Sequence, residues 1–140
     1  MAGAGEGADL MVAYSFKRQF VRPILDGTKR QTIRADRRRH ARPGEELQLY
    51  TGMRTKECRL ICRARCLDVL PIFIAFRKRA RTDWVRVGGK KLDRPSELDA
   101  FARHDGFKDW GELREFWRTN HPGVCDFRGV MITWDYEVAE

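Results

Sequence analysis

The sequence predicts an α+β fold: a partly open, mixed β-barrel with about three flanking helices. Short apolar or alternating runs outnumber helical ones along the chain. Strand, helix and strands follow one another without a repeating βαβ unit, which disfavours a doubly wound parallel sheet. No Pro-, Gly- or Ser-rich linker divides the chain, and 140 residues suffice for one hydrophobic core. Residues 10–140 are therefore read as a single domain. Residues 1–9 are small, flexible and acidic, without the basic start and apolar centre of a signal peptide, and are read as a disordered tail.

Leu10 to Tyr14 is apolar enough for a first strand. A short helix is expected over Phe20 to Asp26, because Pro23 is tolerated in a first turn and Gly27 suits a C-cap. Gln31 to Arg34 reads as extended. Arg37-Arg38-Arg39-His40-Ala41-Arg42 is a basic loop before a turn at Pro43-Gly44. Strands are expected over about Leu47 to Tyr50 and Glu57 to Val69, the second long enough to bend or bulge. Ile72 to Phe76 is either a strand or a helical turn; periodicity does not separate the two over so short a run. Trp84 to Leu92 reads as a hairpin around Gly88-Gly89. Pro95 starts a helix that ends before Gly106, and Asp109 caps another with Trp110, Leu113, Phe116 and Trp117 at helical spacing. Val130, Ile132, Trp134 and Tyr136 alternate on a closing strand.

The formal net charge is +8, unevenly spread. Residues 17–42 carry +8 and residues 54–91 carry +9, whereas residues 92–140 carry −5. A basic end of this kind favours a polyanionic partner, most simply RNA or another single-stranded nucleic acid. No segment is apolar and long enough to span a membrane, so no membrane partner is expected. Cys58, Cys62 and Cys66 are spaced by four and fall on one face of a strand with Leu60 and Ala64. They read as core thiols of a protein in the reducing cytoplasm rather than as metal ligands, and no cofactor is expected. There is no Gly-x-Gly-x-x-Gly, Walker lysine loop or His-Glu-x-x-His.

The stretch with the most chemistry is Gly27-Thr28-Lys29-Arg30-Gln31-Thr32-Ile33-Arg34. On an extended backbone Thr32 and Arg34 point to one face, and Lys29 reaches over it from the preceding bend. A cation, a hydroxyl and a guanidinium beside a flexible glycine suit a polar, planar or anionic ligand. The same residues also suit a plain basic surface strand after a helix.

The Gly27-x-Lys29-x-x-Thr32-x-Arg34 piece, the Gly44 turn and the later Asp105-Gly106-Phe107 together resemble the ASCH family of PUA-like β-barrels. The resemblance spans roughly Val12 to Val138, and residues 76–94 look like a basic hairpin insertion in the family pattern. It implies a cleft beside the barrel. Relatives include RNA-binding modules, proteins reported as nucleases, and small amidohydrolases acting on N-acetylcytidine. In the amidohydrolases a Lys, a Thr and a Glu form the catalytic set. The first two carry over to Lys29 and Thr32; the third falls on Asp105, one methylene shorter.

Two readings follow. In the first, the chain binds RNA, a nucleoside or a nucleotide in a basic cleft, with Gly27, Thr28, Arg34 and the loop arginines Arg37, Arg38, Arg39 and Arg42 as binding residues. In the second, Thr32 is a nucleophile, Lys29 its base and Asp105 the orienting carboxylate. That chemistry needs a lysine whose pKa is lowered by burial or by a neighbouring cation such as Arg34, and oxyanion donors near Gly27 and Thr28. Asp105 close to Lys29 would act in the opposite direction. A ribonuclease would draw on His40, His104 and His121, although no pair of them has a diagnostic spacing.

Overall fold

A computed structural model describes residues 11–37, 39–78 and 81–136. The expected tail, Arg38 and residues 79–80 of the expected insertion lie outside the described residues. Seven strands form one mixed sheet: β1 (Met11–Phe16), β2 (Gln31–Arg34), β3 (Glu46–Thr51), β4 (Arg59–Ala75), β5 (Trp84–Val87), β6 (Lys90–Leu92) and β7 (Asp126–Tyr136). A 3₁₀ turn (Arg18–Phe20) leads into α1 (Val21–Asp26), and α2 (Pro95–His104) and α3 (Trp110–Asn120) lie between β6 and β7. Among the described residues no helix is long and apolar enough to cross a membrane.

The long central strand organises the sheet. One edge of β4 pairs with β3 through Arg59–Arg65 and then with β5 through Ile72–Ala75, while β7 runs along its other edge. The segment left open as strand or helical turn is thus the second half of β4. Pro71 falls where this edge passes from β3 to β5, beyond the β5 ladder, and its carbonyl accepts the Gly88 N–H at 2.9 Å. The expected irregularity is a register shift between Cys66 and Asp68, which turns Leu67 outward.

β1 pairs with β3 in parallel, which requires a crossover, and the residues between them supply α1 and β2 on the way. β2 adds to the far edge of β7. The expected α+β fold with a mixed sheet and three helices is present, and because no ladder joins β1 to β2 the sheet does not close into a barrel. Instead the Arg34 guanidinium crosses from β2: Nη2 donates to the Ser15 carbonyl at 2.7 Å, and Cζ sits 5.2 Å and 4.9 Å from the Tyr14 and Phe16 ring centres.

The helices form as their ends dictate. Gly27 at φ +87° ends α1, a conformation that a Cβ disfavours. Pro95 opens α2, and the Glu97 carboxylate accepts from the backbone of Asp93 and Arg94. Asp109 caps α3 by accepting from Glu112 N–H at 2.9 Å. Trp110, Leu113 and Trp117 of α3 are buried, as their spacing predicts, and Phe76 stacks between Trp110 and Trp117.

The cysteine expectation holds only in part. Cys66 is buried, and burial, with Glu45 and Asp68 nearby, pushes its thiol up to about 11. Cys58 and Cys125 are exposed, because Cys58 precedes the paired part of β4 and Cys125 precedes β7.

Gly129 of β7 faces β2 at very close range. A Cβ there would lie 2.3 Å from the Arg34 carbonyl oxygen and 2.7 Å from Phe127 Cζ. Gly129→Ala is therefore expected to destabilise the fold by about 2 kcal/mol or more in urea denaturation, since backbone and an aromatic ring must both move. Unchanged stability would show that β2 yields freely at this point.

Candidate functional site

A cavity of about 350 Å³ opens between β1, β2, α3 and the loop after α2. Its walls are largely aromatic, with Phe16, Phe20, Phe107 and Phe116 prominent, and its polar groups are Lys29, Thr32, Arg34 and Asp105. Lys17 and His121 stand at its rim, His121 against the Trp117 ring at 4.5 Å.

Lys29 is 3% exposed and Asp105 5%. The Lys29 ammonium donates to the Asp105 carbonyl at 2.6 Å and lies 3.6 Å from its carboxylate Oδ1. It also sits over the Phe20 ring at 4.6 Å. Gln31 Nε2 reaches the same carboxylate oxygen at 3.4 Å. Burial lowers the Lys29 pKa below its ordinary value, and the Asp105 charge offsets this only partly; Arg34 lowers it further. Burial raises the Asp105 pKa, against the pull of Lys29 and Gln31. By their signs, both shifts mark a cost to folding at neutral pH. The folded state resists the charged form of each group, whereas the unfolded chain does not.

The backbone around the pair is tightly held. Gly106, at φ +99°, leaves room for Lys29: a Cβ there would come within 3.0 Å of its Cδ. The Tyr136 hydroxyl lies 2.5 Å from the Ile24 carbonyl and 2.8 Å from the Lys29 carbonyl, pinning the end of α1 and the start of β2 to β7. Arg30 N–H donates to the His104 carbonyl at 2.8 Å, which ties the same bend to the end of α2.

Thr32 and Arg34 share a face, as their alternation predicts. Arg34 Nε donates to Thr32 Oγ1 at 2.9 Å. Among the described residues no hydrogen bond joins Lys29 to Thr32. The ammonium is turned to Asp105 and the hydroxyl to Arg34.

Thr28 does not reach the cavity. Its hydroxyl bonds Asp26 and the Pro23 carbonyl and so finishes α1. The expectation of oxyanion donors near Gly27 and Thr28 is corrected here, since Gly27 N–H donates to Ile24 O and Thr28 N–H to Asp26 Oδ1. Both are committed to local structure.

Ala35, two residues before the basic loop, also lines the cavity. Arg37 is exposed and lies over the Tyr14 ring at 4.6 Å. Arg39 is drawn inward to Glu45, Nη2 to Oε2 at 2.7 Å, and Arg42 is exposed with its N–H on Glu45 Oε1 at 2.7 Å. Burial raises the Glu45 pKa, but these bonds outweigh it and hold the carboxyl below the usual value. His40 is structural: its Nε2 bonds the Ala35 carbonyl and its Nδ1 the Tyr14 hydroxyl, both at 2.9 Å. His104 is exposed away from the cavity.

Sequence reasoning thus brought Lys29, Thr32, Arg34 and Asp105 to one site. It missed the aromatic walls, Gln31 and the pinning role of Tyr136. The two aromatic walls of α3 and the 3₁₀ turn read as ordinary core residues, and only their approach to Lys29 distinguishes them. Comparison with known protein families, characterised proteins and solved structures finds no match to this chain.

Lys29→Met would leave Asp105 buried without its cation and lower stability at pH 7 by about 3 kcal/mol. The lone folded carboxyl then titrates above its unfolded value, so the deficit should shrink as pH falls through that raised pKa. Urea melts at pH 7 and pH 5 check this; equal deficits would mean that the carboxylate finds water once Lys29 is gone.

Proposed function

We propose that this chain is an ASCH-type, PUA-like domain that binds RNA or a nucleotide, holding one nucleobase in the cavity. The observation that carries the reading is the cavity itself. Aromatic walls enclose Lys29, Thr32, Arg34 and Asp105, all four lining one space. Aromatic faces suit a planar base. The carboxylate, the hydroxyl and the cations supply acceptors and donors for its edge. A volume of about 350 Å³ lies in the usual range for a small-molecule pocket. Ala35 lines the cavity and exposed Arg37 follows two residues later, which supports a role for Arg37 in meeting phosphates outside it.

The second reading is an amidohydrolase acting on a modified nucleoside of the N-acetylcytidine type. It is favoured by one observation: burial lowers the Lys29 pKa beside a threonine and a carboxylate in the same cavity. Attack would need Lys29 to leave Asp105 and take the Thr32 proton, since no bond links the two at rest. That rearrangement is an added cost, and binding is the simpler use of the site.

One experiment separates the readings. The protein is titrated with cytidine and with N-acetylcytidine by calorimetry, and the mixtures are then chromatographed for released cytidine. Thr32→Val, which keeps the shape and removes the hydroxyl, is the control. Saturable binding without turnover, weakened about tenfold in Thr32→Val, is the expected result. Cytidine released by the wild type alone would establish the hydrolase instead. Absence of binding to either nucleoside would remove the cavity from both readings.

A further inference from the structure

The sheet carries a second concentration of aromatic and cationic side chains, on β4 to β7 and outside the cavity lining. In the registers of β4, β5, β6 and β7, Lys91 pairs with Arg86, Arg86 with Phe73, and Phe73 with Arg128. Residues in register across a sheet project to the same side, so these four form one row over four strands. Three strand spacings make the row about 14 Å long. Trp84, two residues before Arg86, projects with it.

The alternation fixes which side this is. Ile72, Ile74 and Val85 are buried in the core, and Phe127, next to Arg128, lines the cavity. Their neighbours Phe73, Trp84, Arg86 and Arg128 therefore face outward. Phe73 and Trp84 are half-buried and nearly parallel, with ring centres 5.2 Å apart and planes at 27°. Exposed cations flank them. Lys91 Nζ is 4.7 Å and Arg86 Cζ 5.7 Å from the Trp84 ring, and Arg128 Cζ is 4.8 Å from the Phe73 ring. Among the described residues none of these three cations is in an ion pair. The acid on the same face near Arg128, Asp126, is held by Arg77 at 2.8 Å.

We infer that this row is a second binding surface, for a single-stranded polynucleotide. Its cations hold phosphates and its two rings and guanidinium planes stack with bases. The charge is complementary to a phosphate backbone, and among the described residues the cations have no ion pair to give up. Flat rings between guanidinium planes offer stacking that a duplex, with its bases already stacked, has no use for. An acidic protein would use the cations and gain little from the rings. The surface is distinct from the cavity, since none of Phe73, Trp84, Arg86, Lys91 and Arg128 lines it.

The test uses the full chain and a labelled oligouridine of about 20 nucleotides, long enough for a surface of this kind. Anisotropy titrations at several salt concentrations are run on three proteins: the wild type, Trp84→Ala, and the triple variant Arg86→Gln, Lys91→Gln, Arg128→Gln. The triple changes involve exposed side chains and leave the core intact. Its Kd should rise at least about tenfold, and its log–log salt slope should flatten by about two. Trp84→Ala, folded by circular dichroism, should bind about fivefold or more weakly. Photo-crosslinks from 4-thiouridine should map to the peptides holding Phe73 and Trp84. A triple variant that binds as the wild type does, or crosslinks that avoid both peptides, would overturn the inference. So would duplex RNA competing as well as the single strand, or polyphosphate binding as tightly as RNA with no effect of Trp84→Ala. Nucleoside binding that Thr32→Val weakens and Trp84→Ala does not reads the cavity, so failure here leaves the cavity reading standing.

Discussion

A lysine enclosed by protein, with its carboxyl partner 76 residues away in sequence, is the constraint on which this structure turns. Lys29 leaves α1 at a glycine, passes beneath Phe20 and ends on Asp105. To bring these groups together the chain must dock the end of α2 against the start of β2. Everything near the pair serves that docking. Gly106 removes the side chain that would collide with Lys29, Arg30 bonds the His104 carbonyl, and Tyr136 reaches from the last strand to hold the bend. The desolvation of both charges works against folding, and an ion pair of this kind is weak support for a stable core. Its persistence in a cavity lined by aromatic rings is what directs attention to a ligand.

The second organising feature is Arg34. It takes the place of the strand pairing that would have closed the sheet, crossing from β2 to the carbonyl of Ser15. The same guanidinium engages Thr32 and packs over Tyr14 and Phe16. One side chain thereby links β2 to β1 beside the cavity and engages the threonine hydroxyl. Tyr14 extends the arrangement to the basic loop, since its hydroxyl bonds His40 and accepts the Ala41 N–H at 3.1 Å. The cavity and the loop beside it are parts of one connected polar structure.

Much of this was legible in the residues. Period-2 alternation identified β7, Asp109 and Pro95 announced the two longer helices, and the Gly88-Gly89 turn fixed the hairpin. The Lys29, Thr32 and Arg34 grouping followed from local spacing, and Asp105 joined it through the family resemblance. Other features depend on long-range geometry, to which local patterns are blind. Ile72 to Ala75 is too short a run to declare its type, and only pairing with β5 and β7 makes it strand. Openness of the sheet depends on whether β1 and β2 pair, which neither strand encodes. Thr28 stood inside the motif yet caps α1, because a hydroxyl beside the Asp26 carboxylate and the Pro23 carbonyl finds its bonds locally.

The account holds that the Lys29–Asp105 pair is kept for recognition and not for stability. The most direct test is the double variant Lys29→Met, Asp105→Leu, followed by thermal melting and by calorimetric titration with cytidine. The account predicts a midpoint at or above that of the wild type, since two desolvated charges are replaced by apolar side chains, together with loss of nucleoside binding. A double variant that melts far below the wild type, or one that still binds cytidine, would contradict it.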